Sequence, residues 1–192
     1  MDITSVSSET ELSLRQSRSR PALLIEAARR GDGMAFESLV TSRLERTYRI
    51  ALATLGSEAD ARDAVQETWV AVWRNLPSLA DIDRFDSWVD AIVVNACRMA
   101  IRKRGRVREI ALVDDFDRGA PGPGPDQVSE RDVLDRAFGR LSVDHRAILV
   151  LHHLEEQPLA AIAARLGIPV GTAKSRLFAA RAALQESLEA ER

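Results

Sequence analysis

Residues 158–185 read PLAAIAARLGIPVGTAKSRLFAARAALQ, and the segment GIPVGT separates two alanine-rich helical patterns. Pro158 suits the first turn of a helix, and apolar residues follow it at helical spacing. Gly167 can adopt the left-handed conformation that ends this helix, and Pro169 prevents its continuation. A second helix is predicted to begin near Gly171. Its shared apolar face is predicted to contain Ala173, Leu177, Ala180, Leu184 and Leu188.

Two helices joined by a tight turn containing Gly form a helix-turn-helix, whose second helix enters the major groove of DNA and contacts base edges near its N-terminus. On helical geometry Thr172, Ser175 and Arg176 point away from the apolar face. Arg176 can bind a guanine edge or a phosphate, Ser175 is a short donor and acceptor, and Lys174 suits a phosphate. The same hairpin occurs in proteins that do not bind DNA, so the motif alone leaves both interpretations open.

The chain has 192 residues, of which 45% are apolar and 29% are charged, and its formal net charge is -2. These values predict a globular protein of one domain or two small ones, and we favour two small domains. The net charge gives no whole-chain sign of nucleic-acid binding, but the charges are segregated along the sequence. No apolar run approaches the roughly 18 residues that cross a bilayer, and Asp2, Glu9 and Glu11 stand where a leader would be basic. We therefore expect a cytoplasmic protein without membrane insertion.

Apolar residues recur at steps of three and four along most of the chain, and the sequence lacks a period-two strand pattern. The fold class is therefore predicted to be all-α. Residues 1–20 lack this periodicity and are expected to form a mobile tail before a first domain at 21–108. The stretch VDDFDRGAPGPGPDQ places a flexible Pro/Gly linker at 109–128, and a second helical domain containing the helix-turn-helix follows at 129–192.

Four helices are predicted in the first domain. A short one from Ala22 ends at RRGDG, and a long one, with apolar residues from Phe36 to Leu55, ends at Gly56. Ser57 can cap the third helix, and Pro77 ends it. The inward stripe of the third helix is predicted to contain Ala61, Val65, Trp69, Val72 and Leu76. In the second domain, Ser129 and Ser142 are predicted N-caps.

The fourth helix, from about Phe85 to Arg104, is apolar on two sides, which is typical of a helix in the middle of a bundle. Cys97 lies in one of these strips and is expected to pack rather than to react. The end of this helix crowds together more basic side chains than favourable interaction with the helix dipole requires. These are Arg98, Arg102, Lys103, Arg104, Arg106 and Arg108.

Catalytic and metal-binding patterns are not recognisable in this sequence. His145, His152 and His153 invite a metal interpretation, but adjacent histidines project in different directions on a helix. Cys97 is the only cysteine, which excludes an intramolecular disulfide and a thiolate zinc cluster. The sequence also lacks a Gly-rich phosphate loop and a nucleophile motif. We expect neither an enzymatic activity nor a cofactor.

Three stretches of sequence together carry a resemblance. They are DARDAVQETWVAVWRNL at 60–76, RFDSWVDAIVVNACRMAIRKRGR at 84–106, and residues 141–184 with the helix-turn-helix. In this order they resemble the core-polymerase-binding helix, the promoter-melting helix and the DNA-reading domain of the extracytoplasmic-function (ECF) sigma factors. These are small two-domain promoter-recognition subunits of bacterial RNA polymerase. The resemblance covers roughly residues 22–190, and three blocks in order are more specific than one.

The resemblance implies that the chain binds core RNA polymerase and promoter DNA. The residues implied in polymerase binding are Asp60, Asp63, Gln66, Glu67 and Trp73. An acidic exposed face suits a basic partner surface. Many members of the family are held inactive by an anti-sigma factor that covers the polymerase-binding surfaces, so the resemblance also implies such a partner.

The loop from Pro77 to Phe85 matches the segment that, in the family, captures a base flipped out of the melted minus-10 element. The basic end of the fourth helix would follow the nearby strand backbone. The residues implied in minus-10 recognition are Asp81, Arg84, Phe85, Trp88, Asn95, Arg98, Arg102, Lys103 and Arg104. The residues implied in reading the minus-35 duplex are Thr172, Lys174, Ser175, Arg176, Phe178 and Arg181. Of the tryptophans, Trp69 and Trp88 also have a simple interpretation as core residues, whereas Trp73 lies off the main stripe.

Two places depart from the family pattern. Asp90 and Ala91 replace a commonly aromatic and basic pair, and Ala179 stands where a basic residue is common. Both changes remove DNA contacts, which indicates a weaker promoter or an unusual recognition sequence. The alternative function is a stand-alone repressor or activator, which would need dimerisation or ligand binding in its first domain. A purely protein-binding role would leave the basic cluster after Arg98 as unexplained surface.

Overall fold

The computed structural model describes residues 20–111 and 130–191. The first domain contains α1 (residues 20–29), α2 (Gly33–Leu55), α3 (Glu58–Asn75) and α4 (Phe85–Ala111). The second contains α5 (Glu130–Arg140), α6 (Val143–Leu149), α7 (Leu159–Leu166) and α8 (Val170–Glu189). All regular structure in the described ranges is helical, which confirms the predicted fold class. Residues 1–19 of the predicted tail, the predicted linker from residue 112 onward and the predicted cap Ser129 lie outside these ranges.

Polar caps and glycines set the helix boundaries. Ser57 accepts a hydrogen bond from the backbone amide of Asp60 at 3.4 Å, and Ser142 accepts one from that of His145 at 3.2 Å, as the sequence predicted. Gly56 and Gly167 end α2 and α7 in the left-handed conformation, with φ values of 68° and 65°. The start of α2 is capped by Asp32, whose carboxylate accepts hydrogen bonds from the amides of Met34 and Ala35.

The core of the first domain follows the predicted stripe of α3 but only part of that of α2. All five predicted α3 residues are buried, from Ala61 to Leu76. On α2, Leu39 and Leu55 are buried, whereas Leu44 is 45% exposed and Phe36 and Tyr48 are half-buried. The reason is geometric, because the apolar stripe of α2 is wider than the surface that its neighbours cover. The remainder lines an open groove.

Helix α4 lies in the middle of the molecule. It contacts α2 and α3 on one side and α6 and α7 of the second domain on the other. Val89, Val93 and Cys97 are buried, whereas Met99, predicted in an apolar strip, is 44% exposed. The sequence predicted that two sides of α4 are buried. It did not predict that the second domain would cover one of them. The helix also continues to Ala111, past its predicted end at Arg104 and into the first residues of the predicted linker.

The second domain packs α5, α6 and α7 against α8. Ala173, Leu177 and Ala180 form the buried face of α8, as predicted. The chain between α6 and α7 differs from the expected simple helix end, because α6 continues as a π-helical segment, Val150–Leu154. Glu156 then adopts a positive φ of 50°. A one-residue widening of a helical turn leaves no periodic signal in the sequence, and such segments often occur at functional positions.

Replacing Gly167 by Ala should lower the free energy of unfolding by about 1–2 kcal/mol, because a Cβ destabilises the left-handed conformation. Gly171 lies within α8 at negative φ, and an added Cβ meets nothing within 4 Å at either position. Gly171→Ala should therefore stabilise the protein, by up to about 1 kcal/mol. Thermal unfolding, followed by circular dichroism, measures whether the two substitutions change the stability in opposite directions. Equal shifts in both variants would contradict the assigned turn.

Cys97 should be inert in the folded protein. The side chain is buried, and burial raises the pKa of its thiol to about 12. At pH 8, roughly one molecule in ten thousand then carries the reactive thiolate. A chromogenic disulfide reagent should label the native chain far more slowly than the same chain in denaturant, where one thiol should react. Rapid labelling of the native chain would contradict the burial of this thiol.

Candidate functional surfaces

The outer face of α3 carries the predicted polymerase-binding residues. Asp63, Gln66 and Glu67 are exposed, and they lie on successive turns of one helix. Asp60 is half-buried and forms an ion pair with Arg104 in the basic part of α4. Arg104 is one of the residues implied in minus-10 recognition. The structure therefore brings the acidic face of α3 next to the basic end of α4. Three of the four polar side chains predicted for polymerase binding face solvent.

An open apolar groove of about 1060 Å³ lies beside this acidic face, between α2 and α3. Its lining includes Phe36, Leu44, Val70 and Trp73, of which Trp73 is 40% exposed. The Phe36 and Trp73 rings lie 4.7 Å apart between centroids, so the groove has a packed aromatic wall. Trp73 was predicted to lie off the core stripe, and its exposure agrees. Gln66, which also lines the groove, was predicted as well, whereas the other apolar lining residues were missed because a wide helical stripe predicts core equally well.

The loop between α3 and α4 is anchored by apolar residues and keeps its polar ones outside. Leu79 is 7% exposed and Phe85 is 1% exposed. Phe85 packs 6.2 Å from the half-buried Trp88, and the guanidinium of Arg43 lies 5.1 Å from its ring centre. Asp81 accepts a hydrogen bond from the Asp83 amide at 3.0 Å. Of the loop residues implied in minus-10 recognition, Asp81 and Arg84 face solvent, and Phe85 instead holds the loop on the domain.

The basic end of α4 is divided between free and engaged side chains. Asn95, Arg102 and Lys103 are exposed. Arg98 is half-buried, and its Nε donates to the Asp144 carboxylate of the second domain at 2.7 Å. Two of the predicted strand-following cations, Arg98 and Arg104, are therefore engaged by carboxylates of this chain. Local sequence carried no signal for these pairs, because their members lie far apart along the chain.

The second helix of the helix-turn-helix presents a largely solvent-exposed N-terminal half. Thr172, Lys174 and Ser175 are exposed, and Phe178 is 77% exposed. An aromatic side chain this open on a helix surface offers an apolar contact for a thymine methyl group. Arg176 is half-buried, and its Nη1 has no hydrogen-bond partner among the described residues. This Nη1 is itself buried, so the guanidinium must turn outward before that donor can reach a base edge or a phosphate.

The histidines cluster without forming a metal site. Within the described ranges, no group of three or more His, Cys, Asp or Glu side chains is placed to hold a metal ion. His153 lies against Arg181, which donates to its ring nitrogen at 3.2 Å. Burial lowers the pKa of His153, and the charge of Arg181 lowers it further. His152 contacts the carbonyl of Gln157 at 3.1 Å. The contact of His153 with Arg181 joins the π-helical segment to α8, whereas the contact of His152 lies within the chain between α6 and α7.

In the described part of the chain, no helix combines the length and the apolar character that a membrane span requires.

Comparison with known proteins matches both domains to described families. Residues 39–107 match the Sigma-70 region 2 family, and residues 131–184 match Sigma-70, region 4. The ECF RNA polymerase sigma factor SigM of Mycobacterium tuberculosis is 34% identical over 171 residues, which cover 87% of this chain and 84% of SigM. SigE of Mycolicibacterium smegmatis, an ECF RNA polymerase sigma factor, is 33% identical over 159 residues, covering 80% of this chain and 62% of SigE.

A solved structure has the same fold. The sigma factor RpoE from Bartonella quintana, in complex with the anti-sigma factor NepR, superimposes with a TM-score of 0.61 at 26% sequence identity. The match covers 82% of this chain and 98% of RpoE. The two family regions occur in the predicted order. The region 2 match contains the outer face of α3, the loop before α4 and the basic end of α4, and the region 4 match contains the N-terminal half of α8. The chain belongs to the ECF RNA polymerase sigma factors.

Proposed function

We propose that the chain is an alternative sigma factor that binds core RNA polymerase, recognises minus-10 and minus-35 promoter elements and directs transcription initiation. The observation that carries this proposal is the joint presence of a region 2 domain with an acidic, groove-lined face and a region 4 domain with an exposed reading helix. In this role the protein supplies specificity and has no catalytic activity of its own.

Polymerase binding is assigned to the outer face of α3 and the adjoining groove. An apolar centre bordered by charged residues is the usual composition of a protein interface. Here the groove supplies the centre, and Asp63 and Glu67 supply an acidic border. A basic partner helix or strand pair with apolar side chains would complement both parts. Trp73 is the aromatic anchor, because it is 40% exposed in the groove, near the C-terminal end of α3.

Minus-10 recognition is assigned to the loop before α4 and to the basic end of that helix. A flipped base costs stacking energy, which a rigid, preformed pocket can offset. The buried Leu79 and Phe85 hold the loop in place, so that Asp81 and Arg84 remain exposed beside it. Arg102 and Lys103 supply positive charge for the strand backbone, which makes the affinity dependent on salt concentration.

Control by an anti-sigma factor is also proposed. RpoE of Bartonella quintana is bound by the anti-sigma factor NepR, and the two domains of this chain match that structure along most of its length. The groove between α2 and α3 is a surface that such a protein could cover with an amphipathic helix. A single occupant would then exclude the polymerase from the same residues.

Core-polymerase binding tests the function, with a charge reversal as the diagnostic variant. The wild-type chain should bind core RNA polymerase and select transcription start sites from a promoter library. Glu67→Lys should weaken core binding by about tenfold or more through like-charge repulsion at the interface, and leave isolated minus-35 duplex binding unchanged. Both affinities can be measured by fluorescence anisotropy.

Glu186→Lys is the matched control for this experiment. Glu186 is an exposed carboxylate near the C-terminal end of α8. Its charge reversal changes the net charge of the chain by the same amount as Glu67→Lys, but in the second domain. Equal losses of core binding in both variants would show that the weaker binding comes from the net charge of the chain and not from the position of Glu67. A folded wild-type chain that binds duplex but not core polymerase would instead support a stand-alone regulator.

Lys174 and Arg176 should contribute differently to minus-35 binding. Lys174→Ala should weaken binding about equally across sequences and reduce the slope of log affinity against log salt by about one phosphate contact. Arg176→Ala should cost about 1–3 kcal/mol and relax the preference at one base pair. Binding to a randomised duplex library at several salt concentrations separates the two. Identical sequence profiles for both variants would contradict base reading by Arg176.

A further inference from the structure

The interface between the two domains contains a buried cluster of charges centred on Asp90 of α4. This residue is 0% exposed. Its carboxylate pairs with Arg46 of α2, with 3.0 Å between Nη2 and Oδ2, and with Arg165 of α7 in the second domain. Gln157 Nε2 lies 3.5 Å from the same carboxylate. A buried carboxylate needs such partners, because an uncompensated charge in the interior is strongly unfavourable.

The cluster extends to a second carboxylate that comes from the other domain. Glu155, which is nearly buried, pairs with Arg46 at 2.9 Å and with Arg49 at 2.8 Å. Burial lowers the pKa of Arg165, and the neighbouring Arg46 charge lowers it further. The π-helical segment and the left-handed Glu156 place Glu155 and Gln157 against the first domain. Carboxylates and guanidinium groups thus alternate across the interface, with each domain supplying both.

At the edge of the same interface, Asp144 of α6 engages a residue that is predicted to contact the promoter. Its carboxylate accepts a hydrogen bond from Arg98 at 2.7 Å. Nearby, Arg146 donates to the Thr54 carbonyl at 3.0 Å across the domain boundary. Promoter phosphates and Asp144 therefore compete for the same guanidinium group.

Distance shows that this arrangement cannot engage both promoter elements. The minus-10 and minus-35 elements lie about 25 base pairs apart, or roughly 85 Å at about 3.4 Å per base pair. A compact chain of this length has a radius of gyration of about 16 Å and is therefore roughly 40 Å across. The domains must separate before both surfaces reach their sites. Two domains separate more readily from an ionic interface than from an apolar one, because the charged groups regain their hydration when the interface opens.

We propose that the Asp90 cluster is a latch that holds the free chain in a closed, promoter-incompetent form, in which Asp144 also occupies Arg98. The latch is a property of this chain alone and needs no anti-sigma factor. Its role in transcription rests on the proposed function, whereas the closure itself does not. The exposed reading residues of α8 remain accessible in the closed form, so closure blocks the joint use of both domains and the contact of Arg98 with the promoter, but not minus-35 binding by itself.

Spin labels at Ala80→Cys and Ala182→Cys, both exposed positions in different domains, report the separation in the full chain. The native Cys97 is buried and stays unlabelled. The latch predicts one narrow distance for the wild type. Asp90→Asn should shift the equilibrium toward a broad, longer distribution by at least about tenfold, because Arg46 and Arg165 lose their shared partner. Glu58→Gln, which removes an ion pair within α3, should keep the wild-type distance.

A rim variant covers the case in which Asp90→Asn does not fold. Asp144→Lys places a like charge against Arg98 at a half-exposed site and should also open the chain. Adding Arg98→Glu should restore closure by exchanging the two charges, a result that damaged folding could not produce. Wild-type distances in every folded variant, or a broad distribution in the wild type, would overturn the latch.

Transcription provides the functional readout. When the free chain is mixed with core polymerase and a promoter that has both elements, Asp90→Asn should speed complex formation by up to the same factor as the opening equilibrium of the free chain, and leave isolated minus-35 binding unchanged. Opening without faster promoter binding would overturn the inhibitory role of the latch. Failure of any chain to bind core polymerase would count against the sigma assignment and leave the measured closure intact.

Discussion

The two-sided burial of α4 is the constraint on which the rest of the structure depends. One side packs against α2 and α3 through apolar residues such as Val89 and Val93. The other side contacts α6 and α7, and there the buried carboxylate of Asp90 pairs with Arg165 of α7. Apolar packing cannot compensate a buried charge, so arginines from both domains must converge on this point. The position of the second domain follows from that requirement.

The functional surfaces lie around this helix in a consistent way. The loop before it is held by the buried Phe85, and its basic end lies beside Asp60 of α3. The groove between α2 and α3 remains open, as does the N-terminal half of the reading helix α8. Closure of the domains therefore leaves the groove and the reading helix accessible, engages Arg98 through Asp144, and fixes the distance between the two domains. Regulation through the distance between the two domains needs no conformational change within either domain.

Asp90 shows how a sequence departure can acquire a structural explanation. In the resemblance to sigma factors, this carboxylate stood where an aromatic DNA contact is common, and it indicated a weaker or unusual promoter interaction. The structure buries the side chain among Arg46, Arg165 and Gln157. Its partners lie 44, 75 and 67 residues away along the chain. No local pattern could have paired them, because each partner alone is an ordinary charged or polar surface residue.

The sequence by itself determined the helical class, the caps at Ser57 and Ser142, the turn at Gly167 and the exposed faces of α3 and α8. These features depend on periodicity and on backbone preferences within a few residues, which local sequence contains. Only the tertiary structure decided that part of the α2 stripe lines a groove, that Phe85 is buried, and that Arg98 and Arg104 are paired. The physical reason is that burial and charge compensation depend on which distant surfaces meet, and the spacing of residues along a helix does not specify its neighbour.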